Sequence, residues 1–252
     1  MPKTHQKCQI AGSDSIVDNM FVCLSQTYLM NAILRNSQRI GADNKQNKMK
    51  VLELGCFNGR LMEMMTQWMV ILDYTGVDVR KEYFINSKMY KRKTGTRFIE
   101  QDITTGLPQV ANDSQDMVVS SETLEHIEAV NLPIVIQTLR DKLKPGGRLI
   151  LSFPMNTRDK CFHRLEKEKN LGHVNFPVHE DFIELCTNLG LQLVKFDSGY
   201  TLKSSYPCNH KSMKENPVYK KLASTIGTRM ARAIWMILID DHTGGGYYTC
   251  TK

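Results

Sequence analysis

Glu122, Glu125 and His126, in the stretch Glu122-Thr123-Leu124-Glu125-His126, are spaced i, i+3, i+4. On a helical turn that spacing sets two carboxylates and an imidazole on one face. Side chains so placed can hold a divalent metal or position a general base. A second group with chemical potential lies upstream. Val51-Leu52-Glu53-Leu54-Gly55-Cys56-Phe57-Asn58-Gly59 is an apolar run closed by Gly-x-x-x-Gly, with Glu53 just before the first glycine. Glycines at a strand-to-helix turn permit positive φ and let a ligand approach the backbone closely. Thr75-Gly76-Val77-Asp78-Val79 puts another acid at the end of the next apolar run. Cys56 sits inside the glycine turn, where a small side chain fits, and no thiol chemistry is assigned to it. His163 and His179 read as surface residues.

These residues need a scaffold, and the apolar periodicity supplies one. Strands are predicted at 49–54, 74–78, 96–101, 116–120, 147–153, 191–197 and 246–251, with helices near 60–69, 81–91, 129–142, 179–189 and 215–239. Strict alternation of this kind implies an α/β fold with a doubly wound, seven-stranded, mainly parallel sheet and right-handed crossovers. Such sheets bind ligands outside the carboxyl ends of their strands, where the winding reverses. Glu53, Asp78, Asp102 and Glu122 all fall at those ends. Residues 1–15 read as a polar arm. Residues 16–40 carry Val17, Phe21, Leu24, Tyr28, Leu29, Ala32 and Ile33 on one helical face, predicting an N-terminal helix that packs on the sheet or covers the site.

Length and composition bound the rest. The 252 residues suit one domain with some elaboration. No run approaches the roughly 18 apolar residues of a membrane span, and residues 1–5 lack a signal-peptide core. Seven cysteines, odd in number and without a C-x-x-C pair, disfavour a disulfide framework or zinc site and point to a reducing cytoplasm. The net charge of +7 is concentrated in residues 80–97 and 203–232, each carrying +6. Two solvated helix faces or a surface for a polyanion both fit that pattern. No aromatics alternate with Lys91-Arg92-Lys93, so no base-stacking platform is visible there.

The motifs, taken in order, resemble those of class I S-adenosylmethionine (SAM)-dependent methyltransferases. Glu53 with Gly55 and Gly59 is similar to the family's first motif, E-x-G-x-x-x-G, and Asp78 matches its acid at the second strand. Phe98-Ile99-Glu100-Gln101-Asp102-Ile103, residues 113–122 and Leu143-Lys144-Pro145-Gly146-Gly147 look like the third strand, the fourth strand with its loop, and the turn before the fifth. Gly190-Leu191-Gln192-Leu193-Val194-Lys195-Phe196 looks like the sixth strand, and Gly246-Tyr247-Tyr248-Thr249-Cys250 like an antiparallel seventh. Between these two lies a predicted helical insertion carrying Leu222, Ile226, Met230, Ile234 and Trp235, with a membrane-surface helix as a minor alternative.

The resemblance implies a single domain over residues 1–252: an arm and helix at 1–48, a cofactor core at 49–153, and acceptor-side cap elements at 154–178 and 199–243. It implies SAM as cofactor, with Gly55, Cys56 and Gly59 shaping the turn beside the methionine moiety. Glu53 fixes that turn or the amino group, Asp78 accepts both ribose hydroxyls beside Val79, Asp102 and Ile103 address the adenine, and Ser121 and Glu122 close the pocket. His126, then His173, would serve as an acceptor-side base. The E-x-x-E-H pattern also resembles that of ubiquinone-pathway O-methyltransferases and small-RNA 2′-O-methyltransferases, where Glu122, Glu125, His126 and His173 would be metal ligands. The expected reaction is methylation of a hydroxyl on a small-molecule acceptor. Alternatives are methylation of a nucleic acid, possibly assisted by metal, and a SAM-fold protein that binds a partner without transfer.

Overall fold

The computed structural model describes residues 29, 32–37, 49–59, 61–63, 65, 72–85, 96–156, 172–198, 220–221, 224–225 and 245–252. Seven strands form one sheet: β1 Met49–Leu54, β2 Leu72–Asp78, β3 Thr96–Glu100, β4 Gln115–Ser121, β5 Leu143–Pro154, β6 Gln192–Ser198 and β7 Gly245–Thr251. Their order is β3-β2-β1-β4-β5-β7-β6. β1 to β5 pair in parallel, and β7 runs antiparallel between β5 and β6. The winding reverses between β1 and β4, the kind of switch point at whose strand carboxyl ends open α/β sheets bind ligands.

Parallel strands buried on both faces need apolar side chains at odd and even positions alike. Leu52, Leu54, Val118, Leu149 and Leu151 pack in one buried cluster, and Val51, Tyr74, Met117, Val119 and Ile150 in a second. Successive side chains point to opposite faces, so these are the two layers of a doubly wound fold. The first layer is covered by α1 Leu132–Lys142 and α2 His179–Asn188. α1 starts with a proline in its first turn, where no amide donor is missed, and buries Leu132, Val135, Ile136 and Leu139 at helical spacing. α2 buries Phe182 and Cys186, one turn apart. The second layer contains Leu29, Ile33, Leu61, Met62 and Met65, all helical and buried. The predicted N-terminal helix and the helix after the glycine turn are thus helical at these positions; the remainder of both lies outside the described residues.

Three expectations change. The predicted helix at 129–142 is a 3-10 turn at Ala129–Asn131 followed by α1. The predicted helix at 81–91 opens as a 3-10 turn at Lys81–Tyr83, and residues beyond 85 lie outside the described set. The fifth strand begins at Leu143 rather than 147: Leu143 pairs with Gln115 and Arg148 with Met117, so residues 144–147 arch out of the ladder. Gly146 takes φ 77° there, and Lys144 reaches back to Asp116 at 2.6 Å. In the insertion before β7, residues 220–221 and 224–225 are helical and exposed; the apolar run from 226 to 239 lies outside the described residues. Among the described residues no helix is long and apolar enough to cross a membrane.

Candidate active site

Four loops meet at the carboxyl edge of the sheet. The first follows β1. Gly55 and Cys56 both donate their backbone N–H to the Val77 carbonyl, at 2.8 and 3.1 Å, which pins the turn to β2. Gly55 and Gly59 take φ 72° and 75°, values costly for any residue with a Cβ. At Gly55 space adds a second demand: a Cβ there would stand 2.0 Å from Thr123 Oγ1. The loops after β1 and β4 therefore touch at Gly55. Cys56 turns back against Gly76, where a Cβ would lie 2.8 Å from its sulfur, which leaves room for a thiol and little more. Burial, with Glu53 and Asp78 nearby, pushes the Cys56 thiol well up, so it stays protonated.

The second loop follows β2. Asp78, 8% exposed, accepts from Phe57 N–H at 2.8 Å and from Arg80 N–H at 3.4 Å. Burial raises its carboxyl above the usual range; the backbone donors of Phe57, Arg80 and Val79 and the Arg80 charge work against that. Val79 is exposed beside it, and the Phe57 and Tyr83 rings pack 4.7 Å apart. Glu53 lies deeper, 4% exposed, and accepts a hydrogen bond from the fully buried Tyr74 hydroxyl. Burial first, and the Asp78 carboxylate second, push Glu53 well above the ordinary carboxylate range. After β3, Asp102 caps the 3-10 turn Ile103–Thr105 through Oδ1, accepting from Thr104 N–H at 2.9 Å and Thr104 Oγ1–H at 2.7 Å. Ile103 is buried beneath it.

The fourth loop follows β4. Here the helical face predicted for Glu122, Glu125 and His126 does not form. Glu122 takes φ 49° and precedes a 3-10 turn at Leu124–His126, so it points away from the turn's face. Its N–H donates to Ser152 O at 2.8 Å, and its Oε1 accepts from Ser152 Oγ at 3.0 Å. A carboxylate can only accept, so Ser152 spends its proton there and Ser121 must donate in the Ser121–Ser152 contact of 3.1 Å. Glu125 is fully buried, and its carbonyl accepts from Val174 and Asn175 N–H at 2.8 and 3.1 Å. That docks residues 174–175 onto the turn and brings His173 to it. His173 Nε2 lies 4.0 Å from Glu125 Oε1, and the His126 and His173 rings meet edge to face with centroids 4.9 Å apart. His126 Nδ1 sits 3.1 Å from Gly172 O. Ligand atoms of Glu125, His126 and His173 all lie within 4.8 Å of one another, a set that excludes Glu122.

The structure thus gathers every predicted site residue at one edge, while sorting them differently from the sequence pattern. Sequence reasoning missed Tyr74, Thr123, Ser152 and the Gly172 carbonyl. Tyr74 carried a signal, since a tyrosine in a buried parallel strand needs a partner for its hydroxyl. His179, read as a surface residue, is half-buried: it opens α2, its Nδ1 lies 2.9 Å from the Tyr248 hydroxyl, and burial lowers its basicity against the pull of Glu180. His163 lies outside the described residues.

A family model described as a methyltransferase domain matches residues 25–195. Phosphoethanolamine N-methyltransferase 1 of Triticum aestivum is 28% identical over 117 residues, 45% of this chain and only 22% of that protein. A Haloferax volcanii methyltransferase solved with the Trm112 methyltransferase activator superposes with TM-score 0.58 at 18% identity, over 94% of this chain and 97% of that one. Phosphoethanolamine N-methyltransferase 2 of Haemonchus contortus, solved with S-adenosyl-L-methionine, gives TM-score 0.58 at 14% identity, over 86% of this chain and 52% of that one.

Proposed function

Because the chain belongs to the class I SAM-dependent methyltransferases, we propose that it transfers the methyl group to a hydroxyl of a small molecule, with His126 as the base. When bound, SAM supplies an electrophilic methyl group on a sulfonium. The residues fit such a ligand: two positive-φ glycines open the backbone at residues 55–59, and the buried acids Glu53 and Asp78 stand beside them. Gly55, Cys56 and Gly59 shape the cradle, Glu53 answers the cationic end, and Asp78 keeps lone pairs for ribose hydroxyls beside Val79. Asp102 and Ile103 border the adenine side, with Ser121 and Glu122 on the facing wall.

The observation that carries the acceptor side is the contact of His126 with Gly172. A carbonyl oxygen only accepts, so Nδ1 bears the hydrogen and the lone pair of the neutral ring is on Nε2. With SAM and acceptor bound, His126 Nε2 would take the proton that the acceptor hydroxyl gives up on methylation. Beside this ring, the buried Glu125 Oε1 stands 4.0 Å from His173 Nε2. The same base would serve an ammonium acceptor, the class named for the Triticum aestivum protein. The unpaired thiols of Cys56, Cys186 and Cys250 suit a reducing cytoplasm.

A second reading is favoured by the convergence of Glu125, His126 and His173. Two imidazoles and a carboxylate suit a divalent transition metal, which would orient paired hydroxyls such as those of a nucleic-acid end. Much of the two basic stretches lies outside the described residues. The test is transfer of labelled methyl into a cell extract, with and without chelator, separating small molecules from nucleic acid. Chelator-resistant label in small molecules, lost with His126→Gln, supports the first reading. Chelator-sensitive label in nucleic acid establishes the second instead.

A further inference from the structure

Glu53 stands opposite Gly76 in the β1–β2 ladder, and Tyr74 stands opposite Val51. All four side-chain positions share one face of the sheet, the face covered by Leu29, Ile33, Leu61, Met62 and Met65. Tyr74 is fully buried in that apolar layer, and its hydroxyl donates to Glu53 Oε2. A phenylalanine would fill the same space, so what the hydroxyl adds is its hold on the carboxyl. The missing side chain at Gly76 leaves the gap into which the Cys56 thiol packs.

We propose that Tyr74 is a positioning residue for the cofactor: its hydroxyl holds the Glu53 carboxyl, and binding of SAM ionises that carboxyl and releases one proton to solvent. This rests on the reading of Glu53 as a ligand to the cationic end of SAM. Among the described residues, the titratable groups around Glu53 are Tyr74 and Asp78 on β2 and Cys56 in the turn. β4 contributes Met117 and Val119 to the layer, both apolar. The helical stretches carry Arg35, which is exposed, and Glu63, which is half-buried. A second carboxylate beside Asp78 in such a layer is costly until a cation arrives, and burial accordingly pushes Glu53 well above the ordinary carboxylate range. The Tyr74 hydroxyl stabilises the ionised form, so its removal makes ionisation harder.

The test is calorimetric binding of SAM to the full chain between about pH 5.5 and 7, below the range where an α-amino group titrates, near 7.7–8.0. Two buffers of different ionisation enthalpy are compared. The expected wild-type result is a buffer-dependent heat reporting release of up to one proton, with Kd falling by at most about tenfold per pH unit. Glu53→Gln should bind more weakly with heats independent of buffer, and Tyr74→Phe should move the pH limb upward. Thermal unfolding of the apo variants shows that both fold. Buffer-independent wild-type heats with weakened Glu53→Gln overturn the proton coupling and leave Glu53 a ligand. Unweakened binding by Glu53→Gln and Glu53→Ala overturns the ligand reading itself. A Tyr74→Phe limb that coincides with wild type removes Tyr74 from the positioning role.

Discussion

Gly55 and Thr123 are in contact so close that a Cβ on Gly55 would overlap the threonine hydroxyl at 2.0 Å. Thr123 Oγ1 in turn donates to Ser121 O at 2.9 Å, so it is held against the glycine by its own strand end. The two loops that flank the reversal of winding are thereby set at a fixed separation. Gly55→Ala is expected to cost about 1–3 kcal/mol from overpacking and left-handed backbone strain. SAM binding should be lost with it. Adding Thr123→Ala should recover stability only in part, because φ 72° remains. Denaturant unfolding of the two variants and the double variant measures this.

His126 is expected to matter to rate and not to cofactor affinity. His126→Gln should lower kcat by about 10²–10⁴ while the Kd for SAM stays within twofold. Measuring both on one preparation separates loss of a base from collapse of the pocket.

The charge state of the buried acids predicts how the apo protein responds to pH. Glu53 and Asp78 have folded-state values raised above their ordinary 4.5 and 3.8. Between the ordinary and the raised values the folded state binds more protons than the unfolded chain, so stability falls as pH rises. Their contribution is full below about 4 and lost as pH climbs through the folded-state values, with a slope of at most about 1.4 kcal/mol per pH unit and group. Glu53→Gln should remove most of that slope in urea melts from pH 4 upward.

Asp116, at the opposite edge of the sheet, is expected to be purely structural. Its Oδ2 accepts from Lys50 N–H at 2.8 Å and its Oδ1 from Lys144 Nζ at 2.6 Å. Asp116→Ala strands the Lys50 amide and frees the arch at residues 144–147, at a cost of about 1–3 kcal/mol. Titration with SAM should show an unchanged Kd.

The strands were legible in the sequence because a strand buried on both faces needs apolar residues at consecutive positions, and Met49–Leu54 and Gln115–Ser121 carry them at Val51-Leu52 and Met117-Val118-Val119. Boundaries shifted where backbone pairing outran side-chain pattern, as at Leu143, which joins the ladder ahead of Lys144-Pro145-Gly146-Gly147. The spacing of Glu122, Glu125 and His126 misled for a local reason. Periodicity assumes a continuous helix, whereas Glu122 is left-handed and the next residues make a single 3-10 turn.

The sequence alone determined the alternation of strand and helix and the arrival of Glu53, Asp78, Asp102 and Glu122 at strand ends. These follow from period and order, which one chain segment carries by itself. Only the tertiary structure decided that Tyr74 meets Glu53, that Thr123 closes on Gly55, and that His173 joins Glu125 and His126 while Glu122 turns to Ser152. Those contacts join residues far apart in the chain, and packing between layers sets them. The same burial sets the charge of Glu53, because the solvent a carboxylate loses is a property of the folded layer around it.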